Sequence, residues 1–437
     1  ECSPHKGRAV SKNLLFGEHL QRLETRRRFR VFTDVRKFAG RFPPSAAAIR
    51  NLKTTILPRG NPNRGAFDPS EPLVVAGMFR TANGLGQAAR LNTEMLKQHG
   101  YNPIAVDLSE TFKQINGLTE TTLEEMPAGS RGTIILHANA PETRAALHAL
   151  GVRRWQNWRI IGYWAWELSE PPKEWLEIAD HLDEIWTPSA FVTEAFRHFV
   201  DIPIRTVPLP VRAPVLDVES PVNDIESGPL RGLIMADGRS SFHRKNVLAA
   251  VRMFRDAFTE QDDTSLTIKF RNSKEFPEFR SELIDLVGGR DSVTILDGSV
   301  SDMQKWELIA SHNVMLSAHR SEGFGLHLAE AMALGKVTMA TGWSGNMEFM
   351  NEYNSVPLPY RLVPVRDPYG IYSAPKGAVW AAVEEDAGVE ALRRLNSDRS
   401  SANMIARSAA EDISRRLSGT ALLEALIPPT CESHSPG

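Results

Sequence analysis

Short apolar runs rich in β-branched residues recur along the chain in two series, separated by longer stretches whose apolar positions fall at helical spacing. The first series is LVVAGMF (73–79), NPIAVDL (102–108), TIILHA (133–138), RIIGYWA (159–165), EIWT (184–187) and IRTVPL (204–209). The second is LRGLIMAD (230–237), LTIKFR (266–271), SVTILD (292–297), NVMLSA (313–318) and KVTMAT (336–341). Runs that stay apolar instead of alternating are the mark of strands covered on both faces, as in a parallel sheet with crossover helices. The pattern predicts an α/β chain of two doubly wound domains facing each other across a cleft. Between the series, the proline-punctuated VPLPVRAP (207–214) and the polar, acidic stretch after it predict a hinge near 208–228. A ligand is expected at the strand carboxyl ends in the cleft. Residues 401–424 read as a further helix and 425–437 as a proline-rich, polar tail.

Composition changes this picture at one place. The chain of 437 residues is 42% hydrophobic and 24% charged, an ordinary soluble balance at a length that exceeds one core. Its net charge of -2 hides an asymmetry, because residues 1–60 hold 14 Lys and Arg against 4 Asp and Glu. There RLETRRRFRVFTDVRKF sets Phe29, Val31, Phe32, Val35 and Phe38 among arginines. That pattern suits either an interfacial helix on anionic lipid or a helix packed on the body. Nucleic acid is not expected, since no binding module accompanies the charge. No apolar run approaches a membrane span and no signal-peptide core is seen, so a cytoplasmic location is expected, with peripheral contact at the inner membrane face through residues 1–60. Cys2 and Cys431, near the two ends, offer neither a disulfide framework nor a metal site.

The most informative string is SEGFGLHLAEAMALGK, Ser321 to Lys336. It places Glu330 inside a helix where Leu326, Leu328, Ala329, Ala331, Met332, Ala333 and Leu334 surround it, so its carboxylate is buried and needs a hydrogen-bonding partner. The glycines before the helix give a flexible loop, and the helix amides that follow are a ready anion site. Hydroxyl acceptors and phosphate donors are thus combined, as a sugar nucleotide requires.

Glu322 and Glu330, eight residues apart with Gly-Phe-Gly between them and WSGNMEF at 343–349, resemble the Glu-x7-Glu motif of retaining, family-4-type glycosyltransferases (glycosyl transferases group 1). The resemblance implies a GT-B fold. Its parts would be a basic N-terminal extension (1–68), an acceptor-side Rossmann-like domain (69–212), a nucleotide-sugar-binding Rossmann-like domain (213–400), and a C-terminal helix crossing back before a tail (401–437). It also implies a hexose transferred from a nucleoside diphosphate to a hydroxyl on a glycan or lipid-linked glycan, as in bacterial surface polysaccharide synthesis. In the family, Glu330 would accept the ribose hydroxyls, while Glu322 and the amides of Gly323, Phe324 and Gly325 hold the sugar. The amides of Leu326 and His327 would meet the distal phosphate, with His327 a departure from the usual proline. Arg239 and Lys245, six apart after the strand at 230–237, would grip the diphosphate, with Arg244 and His243 in reach of the same role. Main chain from Gly298 to Val300 would bracket the base. Retention would proceed by front-side departure and attack, with the leaving phosphate taking the acceptor proton.

In the first domain, Gly84 and Gly86 form a turn whose amides, by the same resemblance, approach the donor phosphate and acceptor. The alternative reads Gly84-Leu-Gly86-Gln-Ala-Ala89, with Asp107 closing the next strand, as a dinucleotide fingerprint and hence an NAD-dependent oxidoreductase. Against it, four residues separate the preceding strand from the first glycine, and the second-domain string would be unexplained. His137 ends the strand at 133–138 and faces the expected cleft, as a structural residue or near the reacting sugar. The segment GYWAWELSEPPKEW (162–175) contains Glu167 as an expected acceptor contact. No strand-end Asp-x-Asp and no cluster of His and Cys indicates a catalytic metal, so no metal or cofactor is expected beyond the donor substrate. No G-x-S-x-G elbow supports a serine hydrolase. A sugar-nucleotide epimerase or hydrolase on the same fold remains as the other enzyme class, and an inactive binding scaffold as the non-enzyme one.

Overall fold

In the computed structural model, which describes residues 57–115, 119–216, 225–372, 375 and 377–427, both strand series form six-stranded sheets, parallel throughout. Cys2, Cys431, the tail from 428, part of the hinge and almost all of the basic segment lie outside the described residues.

The first sheet comprises β1 (Leu73–Gly77), β2 (Ile104–Asp107), β3 (Thr133–His137), β4 (Arg159–Tyr163), β5 (Glu184–Thr187) and β6 (Ile204–Thr206), ordered β2-β1-β3-β4-β5-β6. Every residue of β1, β3, β4 and β5 is buried, which accounts for the unbroken apolar runs. Helix α1 (Gly84–Gln98) follows β1, capped by Asn83, whose side chain accepts from the Gly86 amide at 2.8 Å. Its inward face, Ala88, Ala89, Asn92, Met95 and Leu96, has helical spacing and lies against β1 and β3. Helices α2 (Ala140–Ala149) and α3 (Ala190–Arg197) follow β3 and β5.

The second sheet runs β12-β11-β10-β7-β8-β9, from β7 (Leu230–Asp237), β8 (Thr264–Arg271), β9 (Val293–Asp297), β10 (Val314–Ser317), β11 (Val337–Thr341) and β12 (Val356–Leu358). The helices α4 (Val247–Ala257), α5 (Pro277–Val287), α6 (Asp302–Ala310) and α7 (Leu326–Ala333) make the crossovers. Strand order reverses between β7 and β10, so the loops leaving these two strands flank the crevice where doubly wound sheets bind ligands.

Three features depart from the predicted elements. A hairpin of β13 (Tyr360–Pro364) and β14 (Val379–Val383) stands apart from both sheets as a third, antiparallel one. Strand β12 was not foreseen either. After α8 (Glu385–Ser397), the single expected helix at 401–424 is two helices, α9 (Arg399–Arg416) and α10 (Thr420–Leu426). The break falls at Gly419, whose φ of +94° suits glycine and ends the helical path. Leu417, Leu422 and Leu426 then join the same apolar cluster as Met95, Leu96 and Ile161 of the first domain. There the Leu417 carbonyl accepts from the Val211 amide at 3.0 Å and the Leu426 carbonyl from Arg159 at 3.5 Å.

Candidate donor-binding site

The loop leaving β7 turns at Gly238–Ser240 and then enters the single turn Phe242–Lys245. Ser241 initiates that turn at φ +65°, its hydroxyl accepting from the Arg244 amide at 3.1 Å. The twist decides which basic residues face inward. Arg244 and Lys245 point to the loop leaving β10, whereas Arg239 turns outward and pairs with Glu275 at 2.6 Å, both half exposed. The expected Arg239–Lys245 pair is therefore not brought together, and Arg244 stands where Arg239 was expected.

Glu322, on the β10 loop, is buried between the two inward cations. Lys245 Nζ donates to its Oε1 at 2.6 Å, and Arg244 Nη1 lies 3.3 Å from Oε2 while also donating to the Ser321 carbonyl at 2.5 Å. Burial alone would raise the Glu322 carboxyl, but Lys245 and Arg244 outweigh it and hold the group well below the usual carboxylate range. The loop is fixed from behind by Ser344, which accepts from the Glu322 amide at 2.8 Å, and by the Gly345 amide, which donates to the Glu322 carbonyl at 2.8 Å. Gly345 admits no side chain, because a β-carbon there would lie 2.2 Å from the Gly323 carbonyl oxygen.

Two histidines border this cluster. His319 Nε2 faces two acceptors, Asn346 Oδ1 at 3.1 Å and the Trp343 carbonyl at 3.4 Å, so Nε2 carries the proton and Nδ1 accepts from Ser317 at 3.0 Å. Burial pulls its pKa down to about 4. The His327 ring, half-buried with Nε2 lacking a protein partner, is pulled down to about 3 by burial and then by Lys245. Both rings are neutral at neutral pH.

Gly325, at φ +89°, opens α7, and Leu326 and His327 are its first two residues, whose amides lack an acceptor within the helix. Phe324 turns into the core against Phe349, with ring centroids 5.1 Å apart. Glu330 is buried on α7, as its apolar surroundings predicted, and its carboxylate meets Lys305 of α6. Val300 lies half exposed just past β9, next to Gly298, whose carbonyl accepts from Lys269.

First-domain residues close over the β10 loop. Ser321 donates to the Glu167 carbonyl, Ser189 donates to the Gly323 carbonyl at 2.7 Å, and the Ala190 amide donates to Glu348 at 2.6 Å. A β-carbon on Gly323 would stand 2.9 Å from the Trp166 carbonyl oxygen. Tyr372, in the hairpin loop, covers Arg244 at 5.7 Å, contacts Trp166 at 5.9 Å, and hydrogen-bonds Glu167 through its hydroxyl. The sequence reading missed Tyr372 and Lys305, since neither belongs to a motif. Of the first-domain residues, Gly84 and Gly86 open α1, and Arg271 joins the neighbouring Ala82 carbonyl to Asp237 of β7. His137 is fully buried, stacked on Tyr163 at 4.7 Å and 3.3 Å from the Asn92 amide nitrogen, and burial pulls its pKa down to about 3. Asp107 holds the chain after β1. It accepts from the Phe79 amide at 3.0 Å, the Ser109 hydroxyl at 2.6 Å and Arg80 at 2.7 Å, so its carboxylate is already engaged within the protein. Among the described residues no three His, Cys, Asp or Glu side chains group as a metal site, and no helix is long and apolar enough to cross a membrane.

Residues 239–412 match the family described as Glycosyl transferases group 1, and this second domain belongs to it. No curated protein sequence matches the chain. Among solved structures, a glycosyltransferase from Rickettsia africae ESF-5 superposes with a TM-score of 0.58 at 13% identity, over 82% of this chain and 97% of that one. Anabaena Alr3699/HepE in complex with UDP and glucose gives 0.55 at 12% identity, over 82% and 98%. The chain spans about half, 54%, of S. aureus TarM G117R mutant, a match over 67% of this chain at 11% identity and a TM-score of 0.49. The Rickettsia and Anabaena likenesses show the fold, two Rossmann-like domains in the GT-B arrangement. The family match over residues 239–412 supports a glycosyltransferase.

Proposed function

From a glycosyltransferase with a group 1 second domain, we propose a retaining enzyme that moves a hexose from a nucleoside diphosphate to a hydroxyl of a glycan or lipid-linked glycan. The setting we infer is bacterial surface polysaccharide synthesis at the cytoplasmic face of the membrane, with the basic segment 1–60 as the docking element. The observation that carries the reading is Glu322, kept ionised and buried by Lys245 and Arg244, eight residues before a buried Glu330. A carboxylate that accepts from sugar hydroxyls beside two cations that donate to a phosphate is what donor binding and departure need. As the bond to the sugar breaks, negative charge grows on the diphosphate, and Lys245 and Arg244 stabilise it more in the transition state than in the ground state. Leu326 and His327 supply amides for the same phosphate, and Glu330 takes the ribose hydroxyls. The acceptor approaches past Trp166 and Glu167, and its proton leaves with the departing phosphate. The family and the Anabaena protein's complex with UDP and glucose support a nucleotide-sugar donor.

The test is nucleotide release from a panel of UDP- and GDP-hexoses with and without a glycan acceptor, with the anomer of the product read by NMR. Acceptor-dependent release with retained configuration is expected, undiminished by EDTA. Release independent of any acceptor would indicate a hydrolase, and release abolished by EDTA and restored by magnesium or manganese would overturn the metal-free mechanism.

A further inference from the structure

Glu330 meets its cation on another helix. Lys305 of α6, 25 residues earlier, donates from Nζ to Glu330 Oε1 at 2.5 Å, and is itself largely shielded with its ammonium 5.6 Å from the Trp306 ring centre. Among the described residues, the other elements packed on α7 bring no ion-paired cation to this carboxylate. Helix α9 buries Ala402, Ala406, Ala409 and Ile413, and its Asp412 is engaged by Asn354 and Arg415. Strand β11 has no ionisable residue, and Glu348 of the turn Gly345–Glu348 is taken by the Ala190 amide. Asp302, also on α6, opposes ionisation of Glu330.

We propose that Lys305 is a positioning residue of the donor site, pinning Glu330 through Oε1 and keeping it charged so that Oε2 accepts the ribose hydroxyls. The assignment rests on Glu330 as the ribose ligand. Burial pushes the Glu330 carboxyl up and Lys305 pulls it back. Without the ammonium the carboxyl rises further and takes up a proton as pH falls, and a neutral acceptor holds a hydroxyl less well than a charged one, by about tenfold in affinity.

Two measurements on full-length Lys305→Met and Lys305→Arg test this. In the ligand-free protein, a carboxyl raised in the folded state makes stability fall as pH rises through the window between its unfolded and folded values. The melting-temperature gap between parent and Lys305→Met should therefore widen from pH 5 to pH 8, close in a Glu330→Gln background, and be largely absent in Lys305→Arg. By calorimetry with UDP and GDP, Lys305→Met should bind about tenfold more weakly than the parent at pH 6 and recover toward pH 8.5, with Lys305→Arg near parent. A melting gap flat with pH overturns the proposal whether or not a nucleotide binds. A widening gap with pH-independent, parent-like nucleotide affinity overturns the donor role and places the failure in the ribose assignment.

Discussion

Substitutions at Arg244 and Arg239 separate the geometry from the spacing. Arg244→Met keeps much of the aliphatic stem but removes the contact at 3.3 Å to Glu322, the bond at 2.5 Å to the Ser321 carbonyl and the stacking at 5.7 Å under Tyr372. Breaking a buried ion pair costs about 3–5 kcal/mol, and because Lys245 stays on Glu322 at 2.6 Å the lower end, about 3 kcal/mol, is expected. Losing one of two cations at the leaving phosphate should lower kcat about a hundredfold. Arg239→Met breaks only the half-exposed pair with Glu275, worth about 0–1 kcal/mol, and should leave kcat within about twofold. Thermal melts and steady-state nucleotide release on the two purified variants give both numbers. If Arg239→Met lost activity as Arg244→Met does, or if Arg244→Met turned over normally, the inward and outward assignment of these arginines would be wrong.

Glu330→Gln should weaken binding of the donor nucleotide by about 1–3 kcal/mol while the protein stays folded, as measured by calorimetry; equal affinity would remove the ribose role. His319, with a folded pKa of about 4 against 6.5 unfolded, takes up its proton in the unfolded chain first, so the stability it contributes above pH 6.5 is lost as pH falls toward 4. The loss should amount to about 3 kcal/mol in melts across that window and be absent in His319→Asn. Deleting residues 1–60 should spare nucleotide binding but reduce sedimentation with anionic vesicles at low salt, at about 1 kcal/mol per well-placed Lys or Arg, and an unfolded truncation would make the segment a structural arm.

Most strands of both sheets could be read from the chain because the central ones are buried on two faces, so burial and sequence carry the same signal in β1, β3, β4, β5, β10 and β11. The hairpin β13–β14 carries no such signal. Arg361 and Leu362 are exposed, and the partner strand lies beyond a loop too long for hairpin turn chemistry to announce the pairing. The helix break escaped because Ser-Gly-Thr is tolerated within a helical pattern, and only the left-handed backbone at Gly419 shows that the path turns. At the site, burial of Glu330 followed from its immediate neighbours, while its partner Lys305 did not, because a contact across 25 residues is a tertiary fact. Choosing Arg244 over Arg239 likewise depends on one residue, Ser241 at φ +65°, which no spacing rule reports.

The protein's own charges at the site balance, and this bears on how a diphosphate enters it. Arg244 and Lys245 meet Glu322 directly, while Glu167 of the first domain adds a second carboxylate whose field reaches both cations and whose side chain is held by Tyr372. Two buried cations without these acids would carry a large desolvation cost, so the carboxylates stabilise the site as well as shape it. A diphosphate that binds here replaces their charge, and the cations then gain a partner only as the carboxylates find new ones. Under the proposed function the new partners of Glu322 are the sugar hydroxyls. For Glu167 the proposed one is the acceptor hydroxyl, since its carboxylate hangs from the first-domain segment whose main chain already lies on the Ser321–Gly323 loop. Glu167→Gln should accordingly raise the acceptor KM more than it changes nucleotide affinity, and the opposite pattern, tighter nucleotide binding with an unchanged acceptor KM, would make Glu167 a competitor of the diphosphate instead of an acceptor ligand.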